Sequence, residues 1–131
     1  MPSDSDTERH SPPVVEEAFS SLLNAIRAFN RDRDWGQYHS PKNLAMSLVI
    51  EAAELAEIFQ WLTEEESARL SAQKQVHAEE EIGDVLIYLL NLADKLGIDP
   101  LEAARKKLEL NGLKYPVHMS RGSAEKYTEF R

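Results

Sequence analysis

The chain has 131 residues and a net charge of −8, from 23 acidic and 15 basic side chains. That length suits one domain with its own core, and the acidic field argues against a DNA- or RNA-binding module. The lack of cysteine excludes disulfides, zinc–thiolate sites and thiol nucleophiles. Because the polar start contains no signal-peptide run and no stretch approaches a membrane span of ~20 apolar residues, we expect a cytoplasmic protein.

The first half of the chain predicts two long helices around an aromatic loop. We expect residues 1–12 to be disordered and helix 1 to cover 13–31, where apolar residues recur at helical spacing. Residues 32–40 break that pattern and carry three aromatic rings, which in a loop usually cover or bind something. Ser40 precedes a proline, a good N-cap and first-turn pair, so helix 2 is predicted at 41–61.

The second half predicts two further helices. Residues 62–72 are polar and charged, which suits either a loop or a short helix. Helix 3 is predicted at 73–97 with Gly97 as the residue that ends it. Asp99, followed by proline and then by glutamate two residues later, is typical of a helix start, so helix 4 follows to about residue 112.

The absence of any strand pattern predicts an all-α protein, an antiparallel four-helix bundle. We expect the helical domain to span 13–116 and a polar tail, 117–131, to pack loosely. Helix 3 is apolar over most of its circumference, and three neighbours in a small chain cannot cover such a helix. A homo-oligomer with helix 3 near an interface is therefore expected; the alternative is a central helix in a monomer.

Four carboxylates fall on faces where an ionised group is disfavoured. At about 100° per residue, Glu51 lies among leucines of helix 2 with Glu54 at the edge of the same face. Glu81 and Asp84 repeat this arrangement on helix 3. Residues three apart share a face, so two such pairs on antiparallel helices would converge inside the bundle. The competing interpretation is two solvated acidic faces, which is the ordinary meaning of a single such pair.

Converging carboxylates require cations or protons, and all-oxygen ligands select Mg²⁺, or Mn²⁺ as a substitute. A di-iron bundle needs Glu-x-x-His pairs, and neither helix has one, because His77 precedes Glu81 by four residues. Glu57 and Glu80 lie on more polar faces and are second-choice ligands.

Other residues could hold a nucleotide. Lys107, Asn111 and Lys114 share one face of helix 4, where amide and ammonium donors suit phosphate oxygens; an ordinary solvated face is an equally good interpretation. Aromatic and imidazole rings that could stack on a base or contact a phosphate are Trp35, Tyr38, His39, Trp61 and Tyr88. Core packing is the alternative for Trp61 and Tyr88.

Five stretches of the chain form a recognisable set of motifs: Arg33-Asp34-Trp35 to His39-x-Pro41-x-Asn43-Leu44, Leu48-Val49-x-Glu51-x-x-Glu54-Leu55-Ala56-Glu57-x-Phe59-Gln60-Trp61, Glu80-Glu81-Ile82-x-Asp84-Val85-Leu86-Ile87-Tyr88-Leu89, Asn111-x-x-Lys114-Tyr115-Pro116 and Lys126-Tyr127-Thr128-Glu129. With them the chain resembles the MazG-like, all-α nucleoside triphosphate pyrophosphohydrolases, and most closely their dCTP pyrophosphatase branch, over roughly residues 19–130.

The resemblance implies site residues and an assembly. It implies that the metal ligands, which are also the catalytic residues, are Glu51, Glu54, Glu81 and Asp84. It implies that the substrate is held by Trp35, His39, Trp61, Tyr88, Lys107, Asn111 and Lys114. It also implies a dimer of dimers. Two positions depart from relatives: Ile50 stands where many members have an acid, which narrows the subfamily, and Ile26 stands where some have a polar pocket residue, which bears on base selectivity.

The activity implied is Mg²⁺-dependent hydrolysis of dCTP or a related triphosphate between the α- and β-phosphates, giving the monophosphate and pyrophosphate. The ions would neutralise phosphate charge and activate a water, and the purpose would be sanitation of the nucleotide pool. The alternatives are a dUTP-preferring or broad-specificity enzyme, a non-catalytic nucleotide or metal sensor, and a structural helical module. Neither a nucleic-acid polymer nor a membrane is an expected partner.

Overall fold

A computed structural model describes residues 14–130, with side chains from residue 16 onward, and every regular element in that part of the chain is helical. The predicted disordered segment, 1–12, lies outside it. The long helices are α1 (Val14–Asp32), α2 (Pro41–Phe59), α4 (Ala72–Lys95) and α5 (Pro100–Lys114). The short elements are α3 (Glu64–Ser67), α6 (Val117–Ser120) and the 3₁₀ turns η1 (Trp35–Tyr38) and η2 (Tyr127–Glu129). The predicted all-α class is confirmed.

The predicted helix starts are built from side-chain caps. The Ser40 hydroxyl accepts the backbone N–H of Asn43 at 3.2 Å, and Asp99 caps α5 in the same way. Gly97 follows α4 in the left-handed region, with φ of 66°, which is the conformation that glycine adopts without strain. Helix α2 ends at Phe59, two residues before the predicted bound. A capping box then starts α3 inside the segment that the sequence left open.

The main packing contact joins α2 to α4, and α1 lies against α4 beside it. The connection from α2 to α4 covers only residues 60–71, so the chain returns antiparallel to α2. The buried apolar side chains of the described residues are Ile26, Leu44, Ile58, Ala78, Leu90 and Ala93. This small core fixes the register of α2 against α4, and with it the positions of the carboxylates at the middle of each helix.

The fourth long helix completes no closed bundle within a single chain, because α5 buries none of its side chains. Leu113, for example, is 80% exposed. Helix α4, which the sequence describes as apolar nearly all round, also leaves Ile82, Leu86 and Leu89 exposed. Two separate helices therefore present uncovered apolar faces. No helix in residues 14–130 combines the length and the apolar character that crossing a membrane requires.

The C-terminal tail packs through aromatic rings onto the end of α5. Tyr115 makes edge-to-face contacts with Tyr127 and Phe130, at centroid distances of 5.9 and 5.7 Å. The Lys114 ammonium lies 5.1 Å from the centre of the Tyr127 ring. These rings anchor the tail to the helix that carries the predicted phosphate-binding residues.

Candidate active site

Three of the four predicted carboxylates converge between α2 and α4. Oxygen atoms of Glu51, Glu81 and Asp84 all lie within 4.8 Å of one another. Glu81 is only 8% exposed, although the two glutamates that precede it on α4 are exposed. The competing interpretation of two solvated acidic faces is wrong for this cluster, because Glu51 and Glu81 turn toward each other across the helix interface.

The cluster lacks the partners that buried carboxylates need. One oxygen each of Glu51 and Glu81 is buried and has no hydrogen-bond partner among the described residues. Burial, followed by the neighbouring Glu54 and Asp84 carboxylates, raises the pKa of Glu51 from 4.5 to about 7. A carboxylate with this environment is stabilised either by a proton or by a cation.

A hard divalent cation fits these residues. Orphaned carboxylate oxygens from two helices are the donor set that Mg²⁺ and Mn²⁺ prefer, and the set contains neither thiolate nor a ligating imidazole. His77 lies beside the cluster, with Nε2 3.4 Å from a Glu81 oxygen. Glu54 contacts Glu51 and lies outside the group of three. The structure therefore contains an acidic cluster that could hold a metal ion.

A cavity of about 370 Å³ opens directly beside the cluster, and Asp84 lines both. Four of its ten lining residues carry rings: Phe29 from α1, Trp35 and His39 from the loop, and Tyr88 one turn beyond Asp84 on α4. A volume near the lower end of the usual range for ligand pockets, with flat ring faces and one carboxylate, suits a small molecule with an aromatic part and an anionic part.

The loop after α1 positions the rings. Asp34 adopts φ of 53°, a left-handed conformation that is uncommon outside glycine, and Gln37 donates to both its carbonyl and its carboxylate. This turn sets the Trp35 ring edge-on against Phe29, with centroids 5.4 Å apart. The His39 ring follows, with its centroid 6.4 Å from that of Trp35. The predicted role of the loop in covering a site agrees with this geometry.

Protonation of His39 is disfavoured in this position. Burial lowers its pKa, and the positive charge of Lys95 lowers it further. The imidazole is therefore neutral at neutral pH. A neutral ring suits contact with a base or sugar better than contact with a phosphate. Of the two contacts that the sequence left open for His39, the lowered pKa therefore favours the base.

Other predicted substrate-binding residues lie away from this cavity in the single chain. Trp61 follows the end of α2 and is 87% exposed, so its alternative interpretation as a core residue is wrong. The remaining three lie on α5, none of them lining the cavity: Lys107, Asn111 and Lys114.

The cavity also includes residues that the sequence did not single out. Phe29 follows the apolar spacing of helix 1, yet it lines the cavity, and the Arg33 guanidinium lies 3.6 Å from its ring centre. Asn30 and Asn91 also line the cavity and hydrogen-bond to each other. The available signal was an asparagine inside the apolar run of helix 3, seven residues after Asp84.

Comparisons with known proteins identify the family and relatives of this chain. The family model described as MazG-like matches residues 46–130. The chain belongs to the MazG-like family. Bovine (Bos taurus) dCTP pyrophosphatase 1 is 46% identical over 121 residues, which cover 91% of this chain and 69% of that protein. The human (Homo sapiens) dCTP pyrophosphatase 1 is 44% identical over 116 residues, 87% of this chain and 68% of the human protein.

A solved structure supports the same relationship. The crystal structure of a pyrophosphatase from Archaeoglobus fulgidus matches with a TM-score of 0.72 and 47% sequence identity, covering 82% of this chain and 96% of that one. The MazG-like match begins at residue 46, so it contains the acidic cluster, whereas Trp35 and His39 precede it. The resemblance inferred from the motifs is thus confirmed.

Proposed function

We propose that this MazG-like chain is a Mg²⁺-dependent pyrophosphohydrolase that cleaves dCTP, or a related nucleoside triphosphate, between the α- and β-phosphates. The products are the monophosphate and pyrophosphate, and the role is sanitation of the nucleotide pool. The similarity to the dCTP pyrophosphatases and to the A. fulgidus pyrophosphatase supports the activity and the substrate class. A cytoplasmic location and the division into a domain at 13–116 and a tail stay predictions.

One observation carries the proposal: Asp84 belongs both to the acidic cluster and to the ring-lined cavity. A triphosphate bound at this junction would have its charged chain beside the carboxylates and its base among the rings. Neither a purely structural helical module nor a metal-binding site alone would require this adjoining pocket.

The residues divide the work as follows. Glu51, Glu81 and Asp84, with Glu54 beside them, would hold Mg²⁺, and one oxygen each of Glu51 and Glu81 has no other partner among the described residues. Bound Mg²⁺ supplies charge neutralisation at the phosphates and a more acidic water. The rings of Trp35 and Tyr88 would orient the base by stacking, and the cavity walls would keep bulk water away from it.

We propose that the protein works as a homo-oligomer, a dimer of dimers. The chain exposes 10972 Å² in total, whereas a compact monomer of its mass exposes about 7,000 Å². The fourteen undescribed residues, even counted as a fully exposed chain at roughly 2,200 Å², account for only part of the difference. Oligomerisation would cover α4 and α5, and it is the arrangement in which Trp61, Lys107, Asn111 and Lys114 would reach a substrate.

A nucleotide panel tests the activity. The wild-type protein is incubated with Mg²⁺ and with dCTP, dUTP, dTTP, dATP, dGTP or CTP, and both monophosphate and pyrophosphate are quantified. We expect paired release of the two products with dCTP as the preferred substrate. Equal rates across the panel would favour the broad-specificity alternative. Release of orthophosphate in place of pyrophosphate would contradict the proposed bond cleavage.

Matched variants connect the activity to the cluster. Glu54→Gln and Glu81→Gln should abolish turnover while the helical circular dichroism stays intact, and Glu79→Gln, an exposed change of the same charge on α4, should keep it. If the wild type binds a non-hydrolysable dCTP analogue tightly but hydrolyses no nucleotide of the panel, the protein is a nucleotide sensor instead. Activity retained in Glu81→Gln would refute the metal-site assignment.

A further inference from the structure

The cavity beside the acidic cluster has polar groups at both ends. Asp84 and Asn91 lie seven residues apart on α4, with Tyr88 between them, and all three line the cavity. At 1.5 Å per residue this separation is about 10.5 Å along the helix. That length is comparable to a pyrimidine nucleoside together with its α-phosphate. A nucleotide with its phosphates beside Asp84 would therefore place its base next to Asn91.

The polar group at the far end is a pair of side-chain amides. Asn91 is only 8% exposed, and its Oδ1 accepts the Nδ2–H of Asn30, which reaches across from α1, at 2.7 Å. This bond uses one donor of Asn30 and one acceptor site of Asn91. Within residues 14–130, neither the Asn91 amino group nor the Asn30 carbonyl has another hydrogen-bond partner. Neither atom is among the buried unpartnered atoms of the described residues, so both remain accessible to a ligand in the cavity that they line.

The free groups match one edge of a pyrimidine. As assigned, Asn30 Oδ1 would accept from the 4-amino group of cytosine, and Asn91 Nδ2 would donate to its N3 atom. Turning over either amide alone would oppose two donors or two acceptors across the 2.7 Å contact, whereas turning over both keeps the bond. In either arrangement the mutual bond leaves one acceptor and one donor free, and restrained polar groups discriminate between substrates that differ in a donor.

We propose that the Asn30–Asn91 pair is the specificity-determining element that reads the Watson–Crick edge of cytosine. This inference rests on the proposed function, since it assigns the base end of the same substrate. The alternative is that this hydrogen bond has only a structural role, joining α1 to α4. The two differ in one measurable respect: a structural bond affects all substrates alike, whereas a base-reading pair affects those with a 4-amino group.

The decisive experiment removes the contact to the 4-amino group first from the substrate and then from the protein. The kcat/KM values of the wild type are measured for dCTP and for the triphosphate of 2-pyrimidinone deoxyriboside, which lacks the 4-amino group. The same pair of substrates is then given to Asn30→Leu and to the double variant Asn30→Ala/Asn91→Ala. We expect the wild type to prefer dCTP at least about tenfold, and the variants to lose most of that preference through a fall with dCTP alone.

Controls separate the possible failures. Asn24→Leu, an exposed asparagine on the same helix, should preserve the preference. The wild-type comparison needs no folded variant: equal rates with dCTP and the 2-pyrimidinone analogue would overturn the inference at once. An unchanged preference in a folded variant would do the same. Absence of hydrolysis of every nucleotide by the wild type would refute the proposed function itself, which is a different outcome.

Discussion

Replacing Glu51 with glutamine should stabilise the metal-free protein at alkaline pH. Glu51 lies within 4.8 Å of Glu81 and Asp84, and its burial, together with the nearby carboxylates, raises its pKa to about 7. At pH 8 without a metal, the folded wild type must hold this side chain ionised beside other acids. Glutamine has the same shape, carries no charge, and can donate to an adjacent carboxylate oxygen that lacks a partner.

The sign and size follow from the difference between folded and unfolded pKa. Because the folded value is raised from 4.5 to about 7, the stabilisation from protonated Glu51 is complete below about pH 4.5 and is lost as the pH rises through 7. The full displacement corresponds to about 3 kcal/mol. Since Glu51 is only partly buried and solvent screens its charge, we expect the advantage of the variant to grow by about 1–2 kcal/mol from pH 5 to pH 8.

Thermal unfolding in EDTA at pH 5 and pH 8 measures this effect, with all proteins at one concentration. An increase of about 3–8 °C in the Tm difference between Glu51→Gln and wild type is expected on going from pH 5 to pH 8. Glu79→Gln, an exposed charge removal on α4, serves as the control and should show little pH-dependent change. With excess Mg²⁺ the order should reverse, because only the wild type gains the full ligand set. A variant that is no more stable than wild type at pH 8 in EDTA would refute the reasoning.

Three further predictions concern the cavity and the core. Trp35→Leu should raise the KM for dCTP about tenfold or more, because one base-stacking ring is lost; an unchanged KM in steady-state kinetics would contradict the role of the loop. His39, whose pKa is lowered by burial and by Lys95, should titrate below its ordinary 6.5 when its ring signals are followed by NMR, and a midpoint above that value would exclude the described environment. Leu44→Ala, at the most buried leucine (1% exposed), should destabilise the fold by about 3–5 kcal/mol in urea unfolding, and a loss under 1 kcal/mol would show that the α2–α4 interface is not the core.

The helices could be predicted because their signals are local. Ser40 with the following proline, Asp99 with the following proline, and Gly97 act within one turn of the residues they cap, and all three lie where the sequence placed them. The carboxylates could be predicted to converge for a similar reason: Glu51 and Glu81 occupy apolar stripes, and a stripe identifies the buried side of a helix before its partner is known.

Contacts across helices were harder to predict. Asn91 resembles an isolated polar residue in an apolar run, and its partner, Asn30, lies 61 residues earlier. No periodicity relates the two, because the pairing depends on the crossing of α1 over α4. Phe29 was likewise placed at helical spacing with the core, whereas the turn at Asp34 brings Trp35 against it and makes both part of a cavity wall.

The amino-acid sequence by itself determined the helices, the inward placement of Glu51 and Glu81, and the family, since these depend on residue spacing and local caps. The tertiary structure alone decided which acids meet, where the cavity opens beside Asp84, and that the apolar side of α5 stays uncovered in one chain. The physical reason is that the spacing of residues along one helix decides which of its faces is buried, whereas the crossing of several helices decides which side chains meet that face.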